Sequence, residues 1–166
     1  RTVSDFAQEP GIVRITDYFE ENQTAYIVMN YLEGQTLKKY MKTQPPMEAE
    51  SAFRLMLPLM GTLAKIHSYG IIHRDISPDN LILGPDGKLT LIDFGAAKAY
   101  SPTIDQTCSI ILKGGYAPCE QYDSRGKLGP WSDIYALCAV IYFCITKHAP
   151  DDAFQRMLHD ELKSPS

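Results

Sequence analysis

The sequence predicts an α+β fold in which a β-hairpin precedes a mainly helical body. Two β-rich runs, residues 11–20 and 24–33, are joined by the polar Glu21-Asn22-Gln23, as in an antiparallel hairpin. Between residues 47 and 69, apolar side chains recur at three- and four-residue steps, which predicts one long helix with a single buried stripe. Residues 134–145 are apolar nearly all round but too short to span a membrane, which indicates a buried central helix.

The hairpin and the long helix are separated by a shorter helix. Thr36 is expected to cap this helix, and the run Gln44-Pro45-Pro46 is expected to end it. Within the long helix Pro58 cannot donate a hydrogen bond to the Arg54 carbonyl, which predicts a kink rather than two helices. The residues predicted to form its buried stripe are Ala52, Phe53, Met56, Leu59, Met60, Leu63 and Ile66.

A second hairpin and a long loop are predicted after this helix. Residues 81–83 and 88–92 are strand-like and flank Gly84-Pro85-Asp86-Gly87, a turn in which Pro presets φ and Gly supplies positive φ. Residues 93–120 contain scattered Gly, Ser, Thr and Pro without a sustained period. This stretch favours a long functional loop over regular structure.

Composition and charge restrict the classes of function. The chain has 166 residues, 45% of them hydrophobic, which is enough for one compact unit with a sizeable core. A formal charge of −4 argues against nucleic-acid or anionic-membrane binding, because both require clustered positive charge. The cysteines form no Cys-x-x-Cys pattern, which predicts free thiols in a reducing cytosol. They are Cys108, Cys119, Cys138 and Cys144.

The stretch HRDISPDN, residues 73–80, has the chemistry needed for phosphoryl transfer. Asp75 and Asn80 lie five apart on a segment braced by Pro78, so one rigid turn can present a proton acceptor and a metal-binding amide. Asp93 follows thirteen residues later, after an apolar run, and places a second carboxylate at the exit of a predicted strand. We therefore expect Asp75 to hold the acceptor hydroxyl, and Asn80 and Asp93 to bind Mg²⁺ through oxygen.

Four segments in order identify a family resemblance. HRDISPDN is followed by Asp93-Phe94-Gly95, by GYAPCEQY at residues 115–122 and by WSDIYALC at residues 131–138. This order and spacing resemble the C-terminal lobe of a protein kinase of the bacterial Ser/Thr type, over about residues 10–150. The resemblance implies a partial protein-kinase-like α+β fold. Residues 1–33 would be a remnant of the N-terminal lobe, comprising hairpin and hinge, and residues 34–166 a partial C-terminal catalytic lobe.

The resemblance also implies where ATP binds. Met29 stands at the gatekeeper position, Asn30 to Leu32 lie along the hinge whose backbone would meet adenine, and Ile82 lies beneath the ring. A buried β-strand without a ligand would show the same residue types. This sequence lacks the glycine-rich phosphate loop and the strand lysine of the family that it resembles. The chain alone is therefore expected to be inactive.

Three further residues receive roles from the same resemblance. His73 is expected to support the Asp-Phe-Gly segment, and Asp133 to accept hydrogen bonds from the catalytic-loop backbone. Arg74 resembles the arginine that pairs with an activation-loop phosphate in many kinases, although pairing with local carbonyls is an equal alternative. The candidate phosphate acceptors are Thr103, Thr107 and Ser109.

One departure from the family pattern predicts an additional catalytic residue. The residue two after the catalytic Asp is usually a lysine directed at the transferred phosphate, and here it is Ser77. Lys113, seven residues before Glu120, stands where the family usually has a threonine facing that site. We therefore expect Lys113 to supply the missing charge. The alternative is a solvated lysine in a glycine-containing loop.

The function implied is transfer of the ATP γ-phosphoryl group to Ser or Thr hydroxyls of protein substrates. ATP and Mg²⁺ are the expected cofactors, the location is cytoplasmic, and neither nucleic acid nor membrane is an expected partner of this chain. A small-molecule phosphotransferase of the aminoglycoside-kinase type is one alternative, but such enzymes lack the segments at residues 115–122 and 131–138. A non-catalytic pseudokinase binding module is the other, and the intact Asp75, Asn80 and Asp93 argue against it.

Overall fold

The computed structural model describes residues 10–93, 98–99, 113–123 and 125–165, with the backbone alone at 98–99. In this part of the chain, strands and helices together form the expected α+β fold. The strands are β1 (Ile15–Glu21), β2 (Thr24–Met29), β3 (Gln35–Thr36), β4 (Ile71–Ile72), β5 (Leu81–Leu83), β6 (Leu89–Leu91) and β7 (Lys98–Ala99). The helices are α1 (Leu37–Thr43), α2 (Ala49–Ser68), α3 (Pro130–Thr146) and α4 (Ala153–Leu158), with a short 3₁₀ helix at Cys119–Tyr122.

The predicted N-terminal hairpin is confirmed. Strands β1 and β2 pair antiparallel, with Glu21 opposite Thr24 at the closed end. Asn22 and Gln23 both have positive φ, 52° and 59°, which is the geometry of a two-residue hairpin turn. All six residues of β2 are exposed, so the hairpin extends from the body rather than lying within it.

Helices α1 and α2 form as expected, with one error in the buried stripe. The Thr36 side chain caps α1 by accepting a 3.2 Å hydrogen bond from the Lys39 amide, and α2 runs through Pro58 as one helix. The prediction for Phe53 was wrong, because 54% of its surface is exposed. Successive residues of a helix are about 100° apart, so Phe53 lies on the flank of the face centred on Ala52. The stripe residues that are fully or nearly fully buried are Ala52, Met56, Leu59, Leu63 and Ile66.

The central helix α3 is confirmed and extends beyond the predicted residues 134–145 at both ends. It packs against α2, and Leu137, Val140 and Cys144 are buried in the shared core. Burial raises the pKa of the Cys144 thiol to about 12, so this cysteine is inert. Within the described residues, no helix has both the length and the apolar character needed to cross a membrane.

Two small sheets position residues 73–80, which are called the catalytic loop because the sequence predicts that role for them. Strands β3, β5 and β6 form one antiparallel sheet, and β4 pairs with β7 in another. Strand β7 corrects the prediction that residues 93–120 lack regular structure, because Ile71 pairs with Ala99 and Ile72 with Lys98. A two-residue ladder is too short to produce an alternating pattern, so nothing in the sequence signals it.

Candidate active site

The catalytic loop is fixed by a completely buried carboxylate. Asp133, in the first turn of α3, accepts hydrogen bonds of 2.9 Å from the backbone amides of both His73 and Arg74. The ring nitrogen Nε2 of His67 lies 2.7 Å from Asp133 Oδ2 and satisfies the same carboxylate from α2. The expected contact between Asp133 and the loop backbone is therefore present. Arg74 has a φ of 71°, so the loop turns sharply immediately before Asp75.

Asp75 and Asn80 are joined directly. The Asn80 side-chain amide nitrogen donates to Asp75 Oδ2 at 2.7 Å and to the Asp75 backbone carbonyl at 2.9 Å. Asn80 is 9% exposed and Asp75 is partly buried, so the pair lies at the protein surface with restricted freedom. Since the amide nitrogen is engaged with Asp75, the amide oxygen of Asn80 is the atom that can bind a hard cation.

Backbone hydrogen bonds hold the chain segment before Asp93 against the segment that contains Asn80. The Ile92 amide donates a 2.9 Å hydrogen bond to the Asn80 carbonyl, and Leu81 pairs with Leu91 in the β5–β6 ladder. Asp93 is exposed and has a φ of 65°, a left-handed conformation that is uncommon for residues other than glycine. The fold thus brings the three predicted catalytic residues to one place. Phe94 and Gly95 lie outside the described residues.

His73 supports the site from beneath. The ring is completely buried, and this burial lowers its pKa, although the nearby Asp133, Asp75 and Asp93 carboxylates and a hydrogen bond with the Ile92 backbone act in the opposite direction. The Asp75 amide donates to His73 Nδ1 at 3.3 Å, which requires that nitrogen to be unprotonated. A neutral His73 therefore connects the catalytic loop to the strand end that carries Asp93.

The segment after Lys113 contributes two contacts that sequence reasoning missed. Gln121 is 3% exposed, and its amide nitrogen donates a 2.7 Å hydrogen bond to the Arg74 carbonyl. Glu120 accepts a 2.7 Å hydrogen bond from the Ser132 hydroxyl at the start of α3. Neither contact has a signal in the sequence, because the burial of Gln121 and the partners of Gln121 and Glu120 depend on tertiary packing. Arg74 itself is buried, and its proposed phosphate partners at positions 103, 107 and 109 lie outside the described residues.

Lys113 lies at the catalytic loop, but it pairs with a residue that was not predicted. Its Nζ is 3.0 Å from Asp79 Oδ2, and Lys38 Nζ lies at the same distance from the same oxygen. Partial burial raises the pKa of Asp79, but the hydrogen bonds from Lys113 and Lys38 outweigh it and the pKa is lowered. The Lys113 side chain is one third exposed and ion-paired, and its catalytic role stays a prediction.

The residues expected to contact the nucleotide lie along the path from β2 to β5. Met29 ends β2 and is 41% exposed. Asn30 donates its amide to the Arg14 carbonyl at 2.9 Å, and Leu32 is half-buried. Strand β3 follows directly, and its Thr36 pairs with Ile82 of β5. Ile82 is thereby paired with a strand that begins three residues after Leu32.

The glycine of the hinge is required by this arrangement. Gly34 has a φ of 135°, and a Cβ placed on it would lie 2.2 Å from the Leu83 carbonyl oxygen. Only a residue without a side chain allows the hinge to approach β5 so closely. Gly34 therefore has a structural role that its isolated position in the sequence does not indicate.

The Asp75 carboxylate held by the Asn80 amide, the neighbouring strand end that carries Asp93 and the buried His73 match the arrangement predicted for a phosphotransferase catalytic loop. The chain belongs to the protein kinase family, because the family model described as "Protein kinase domain" matches residues 2–163. The bacterial relatives reported next are serine/threonine-protein kinases, which confirms the resemblance to that type. Kinases of this family in general use ATP and Mg²⁺ and act on proteins.

Three curated relatives show the extent of the similarity. The chain is 39% identical to serine/threonine-protein kinase PrkC of Bacillus subtilis, over 86% of this chain and 22% of the relative. It is 36% identical to serine/threonine-protein kinase PknA of Nostoc sp., over 81% of this chain and 25% of the relative. It is 31% identical to serine/threonine-protein kinase PknL of Mycobacterium tuberculosis, over 84% of this chain and 35% of the relative. The chain therefore spans between a fifth and about a third of these relatives.

Proposed function

We propose that this chain is part of a larger kinase that transfers the γ-phosphoryl group of ATP to Ser and Thr hydroxyls of proteins. The observation that carries this proposal is the hydrogen-bonded pair Asp75–Asn80 next to Asp93. Residues 1–33 are the end of its small lobe and residues 34–166 a large part of its catalytic lobe. The serine/threonine kinases reported above, which share between 31% and 39% identity, support this assignment.

Asp75 is the residue that orients the acceptor hydroxyl and takes its proton. One hydrogen bond from Asn80 holds the Asp75 carboxylate and the other holds the Asp75 backbone carbonyl, so the carboxylate needs little reorganisation when the substrate arrives. The remaining oxygen donors, the Asn80 amide and the Asp93 carboxylate, are the hard ligands that Mg²⁺ prefers. The residues therefore fit this ion, which would neutralise the charge of the nucleotide phosphates when bound.

ATP is placed along the hinge in this proposal. Asn30 and Leu32 offer backbone groups to adenine, Met29 borders the base, and Ile82 packs beneath it. The exposure of β2 and the absence from this sequence of a glycine-rich loop agree with weak nucleotide binding by residues 1–166 alone. Calorimetry on this chain should therefore show no micromolar affinity for ATP. Micromolar binding would contradict the proposal that residues 1–33 are only the end of the small lobe.

The partners and location follow from charge and cysteine chemistry. A net charge of −4 agrees with a protein substrate rather than nucleic acid. Among the described residues Cys119, Cys138 and Cys144 are free thiols, as suits a reducing compartment. Cys108 lies outside the described residues. We place this part of the protein in the cytoplasm.

A metal titration with matched acidic variants tests the function. In the complete kinase, Asp93→Asn should abolish Mg²⁺-dependent phosphorylation of a protein substrate, with Ser and Thr products identified by mass spectrometry. Asp86→Asn, in the exposed turn after β5, is the control and should leave turnover unchanged. Near-wild-type turnover by Asp93→Asn at saturating Mg²⁺ would remove Asp93 from the metal site. Phosphorylation of small molecules alone, or nucleotide binding without transfer, would replace the proposed function by one of its alternatives.

A further inference from the structure

The catalytic loop contains a buried serine at a position next to the reacting groups. Ser77 is completely buried, and its hydroxyl oxygen has no hydrogen-bond partner among the described residues. The Ser77 backbone carbonyl accepts a 3.0 Å hydrogen bond from the backbone N–H of Asn80, so the Ser77 backbone is fixed beside the Asp75–Asn80 pair. An uncharged side chain at this place cannot offset the charge that develops on a transferred phosphoryl group. A cationic side chain that assists Mg²⁺ in this role would have to come from another element.

The base of Lys113 is held rigidly. Its carbonyl accepts hydrogen bonds from the amides of Tyr116, at 2.9 Å, and Ala117, at 3.0 Å. Gly115, inside this turn, has a φ of 81° and packs so closely that an added Cβ would lie 2.4 Å from the Pro150 carbonyl oxygen. The lysine side chain therefore leaves a fixed turn, and its ammonium reaches the catalytic loop at Asp79.

Asp79 binds two ammonium groups with one oxygen atom. Lys113 and Lys38 each lie 3.0 Å from Oδ2, so the cluster of the three side chains carries one uncompensated positive charge. Asp79 directly precedes Asn80, the residue that holds Asp75. The Lys113 side chain is 33% exposed and that of Lys38 is 50% exposed. The less hydrated ammonium of Lys113 is the stronger electrostatic partner for a phosphate.

We propose that Lys113 is the cation directed at the γ-phosphoryl group, and that Asp79 is the residue that positions it. This inference rests on the proposed function. During transfer, the substrate oxygen forms a bond to phosphorus and the proton of its hydroxyl passes to Asp75. The bond from phosphorus to the bridging oxygen breaks, and ADP leaves with the electron pair. Lys113 keeps its proton throughout and stabilises the negative charge on the phosphoryl oxygens.

Lys38 allows the Lys113 ammonium to leave Asp79 for a phosphate oxygen. When the Lys113 ammonium turns from Asp79 to a phosphate oxygen, Lys38 stays on the same carboxylate, which is therefore not left unpaired. The pairing seen here is thus the resting position of Lys113. A purely structural bridge between the activation segment and the loop would instead need Lys113 to remain on Asp79 during transfer.

Single-turnover kinetics of the complete kinase on a protein substrate test the proposal. Lys113→Met should lower the rate of phosphoryl transfer on the order of a hundredfold or more, with little change in the KM for ATP. Lys38→Met is the comparison, because it removes the other ammonium from the same carboxylate. Lys88→Met is the control, since Lys88 lies in the exposed turn before β6 and pairs with Asp86. It should have no effect.

A charge relocation separates electrostatics from structure. The double variant Ser77→Lys with Lys113→Thr should recover part of the lost rate, because it supplies the cation from the catalytic loop. The proposal is overturned if Lys113→Met stays within about threefold of wild type. It is equally overturned if Lys113→Met and Lys38→Met lose the same activity and the relocation recovers none. A wild-type kinase that fails to phosphorylate Ser or Thr would instead overturn the proposed function.

Discussion

The side-chain amide of Asn80 bridges the carboxylate and the backbone carbonyl of Asp75, at 2.7 and 2.9 Å. One side chain thereby fixes the proton acceptor and leaves its own amide oxygen for a metal ion. Because Asn80 also accepts a hydrogen bond from the Ile92 amide, it connects the acceptor to the strand end that carries Asp93. Asn80 therefore acts on both halves of the proposed site.

Replacing this asparagine should affect metal use and turnover together. In the complete kinase, Asn80→Ala should lower kcat on the order of a hundredfold and raise the Mg²⁺ concentration needed for half-maximal rate. The physical reason is loss of both the proposed Mg²⁺ ligand and the group that holds Asp75. Steady-state assays across a Mg²⁺ titration measure both effects, and Asn22→Gly in the hairpin turn is the control. A lower kcat with an unchanged Mg²⁺ requirement would assign Asn80 to orientation only.

The buried carboxylate of Asp133 predicts a large effect on stability. Asp133→Asn preserves size, but the amide cannot accept from the His73 and Arg74 amides and the His67 ring together. We expect the free energy of unfolding to fall by about 3 kcal/mol, as for other buried charged acceptors. Urea denaturation measures it, with the exposed Asp151→Asn as control. A loss below about 0.5 kcal/mol would mean that other groups hold the loop.

Two adjacent glycines give a matched test of the Lys113 turn. Gly115→Ala forces a left-handed φ of 81° on alanine and places its Cβ 2.4 Å from the Pro150 carbonyl oxygen. It should destabilise the protein by more than about 1 kcal/mol. Gly114→Ala meets nothing within 4 Å and should change stability by less than about 1 kcal/mol. Thermal unfolding of both variants makes the comparison, and equal effects would show that the turn is not constrained.

The burial of His73 predicts a pH dependence of stability. Its folded-state pKa is lowered below the ordinary value, so its contribution is complete above about pH 6.5 and is lost as the pH falls below that value. The slope from one such group is at most about 1.4 kcal/mol per pH unit. His73→Gln cannot take up a proton, so its free energy of unfolding should decline less than that of wild type between about pH 7.5 and 5.5. Denaturant titrations at several pH values would disprove this if the two slopes coincide.

Local patterns predicted most of the fold because their causes are local. The 3.6-residue period located α2, the turn residues located both hairpins, and the Thr36 cap was confirmed as the start of α1. Phe53 shows where a period loses accuracy, since it lies on the flank of the buried face and the packing of neighbouring elements decides how far that face extends. Strand β7 shows the other failure, because a ladder of two residues is formed by its partner strand and not by its own sequence.

The sequence alone determined that Asp75, Asn80 and Asp93 lie close together. Asp75 and Asn80 share one tight loop, so their separation along the chain already limits their separation in space. Asp93 follows an apolar strand that must pair with its neighbour, and this fixed its place at the strand end. Loop geometry and strand pairing therefore account for the proximity of these three residues, and their catalytic roles stay a prediction.

Only the tertiary structure decided which buried polar groups satisfy one another. Asp133 lies 60 residues from His73, and Gln121 lies 47 residues from Arg74, so no local pattern predicts either bond from spacing. Lys113 was predicted to supply the charge missing at Ser77, and the folded chain places its ammonium on Asp79, where Lys38 also binds. Such pairings are set by how α1, α3 and the segment around Lys113 pack against the loop. Burial then requires each polar group to find a partner there.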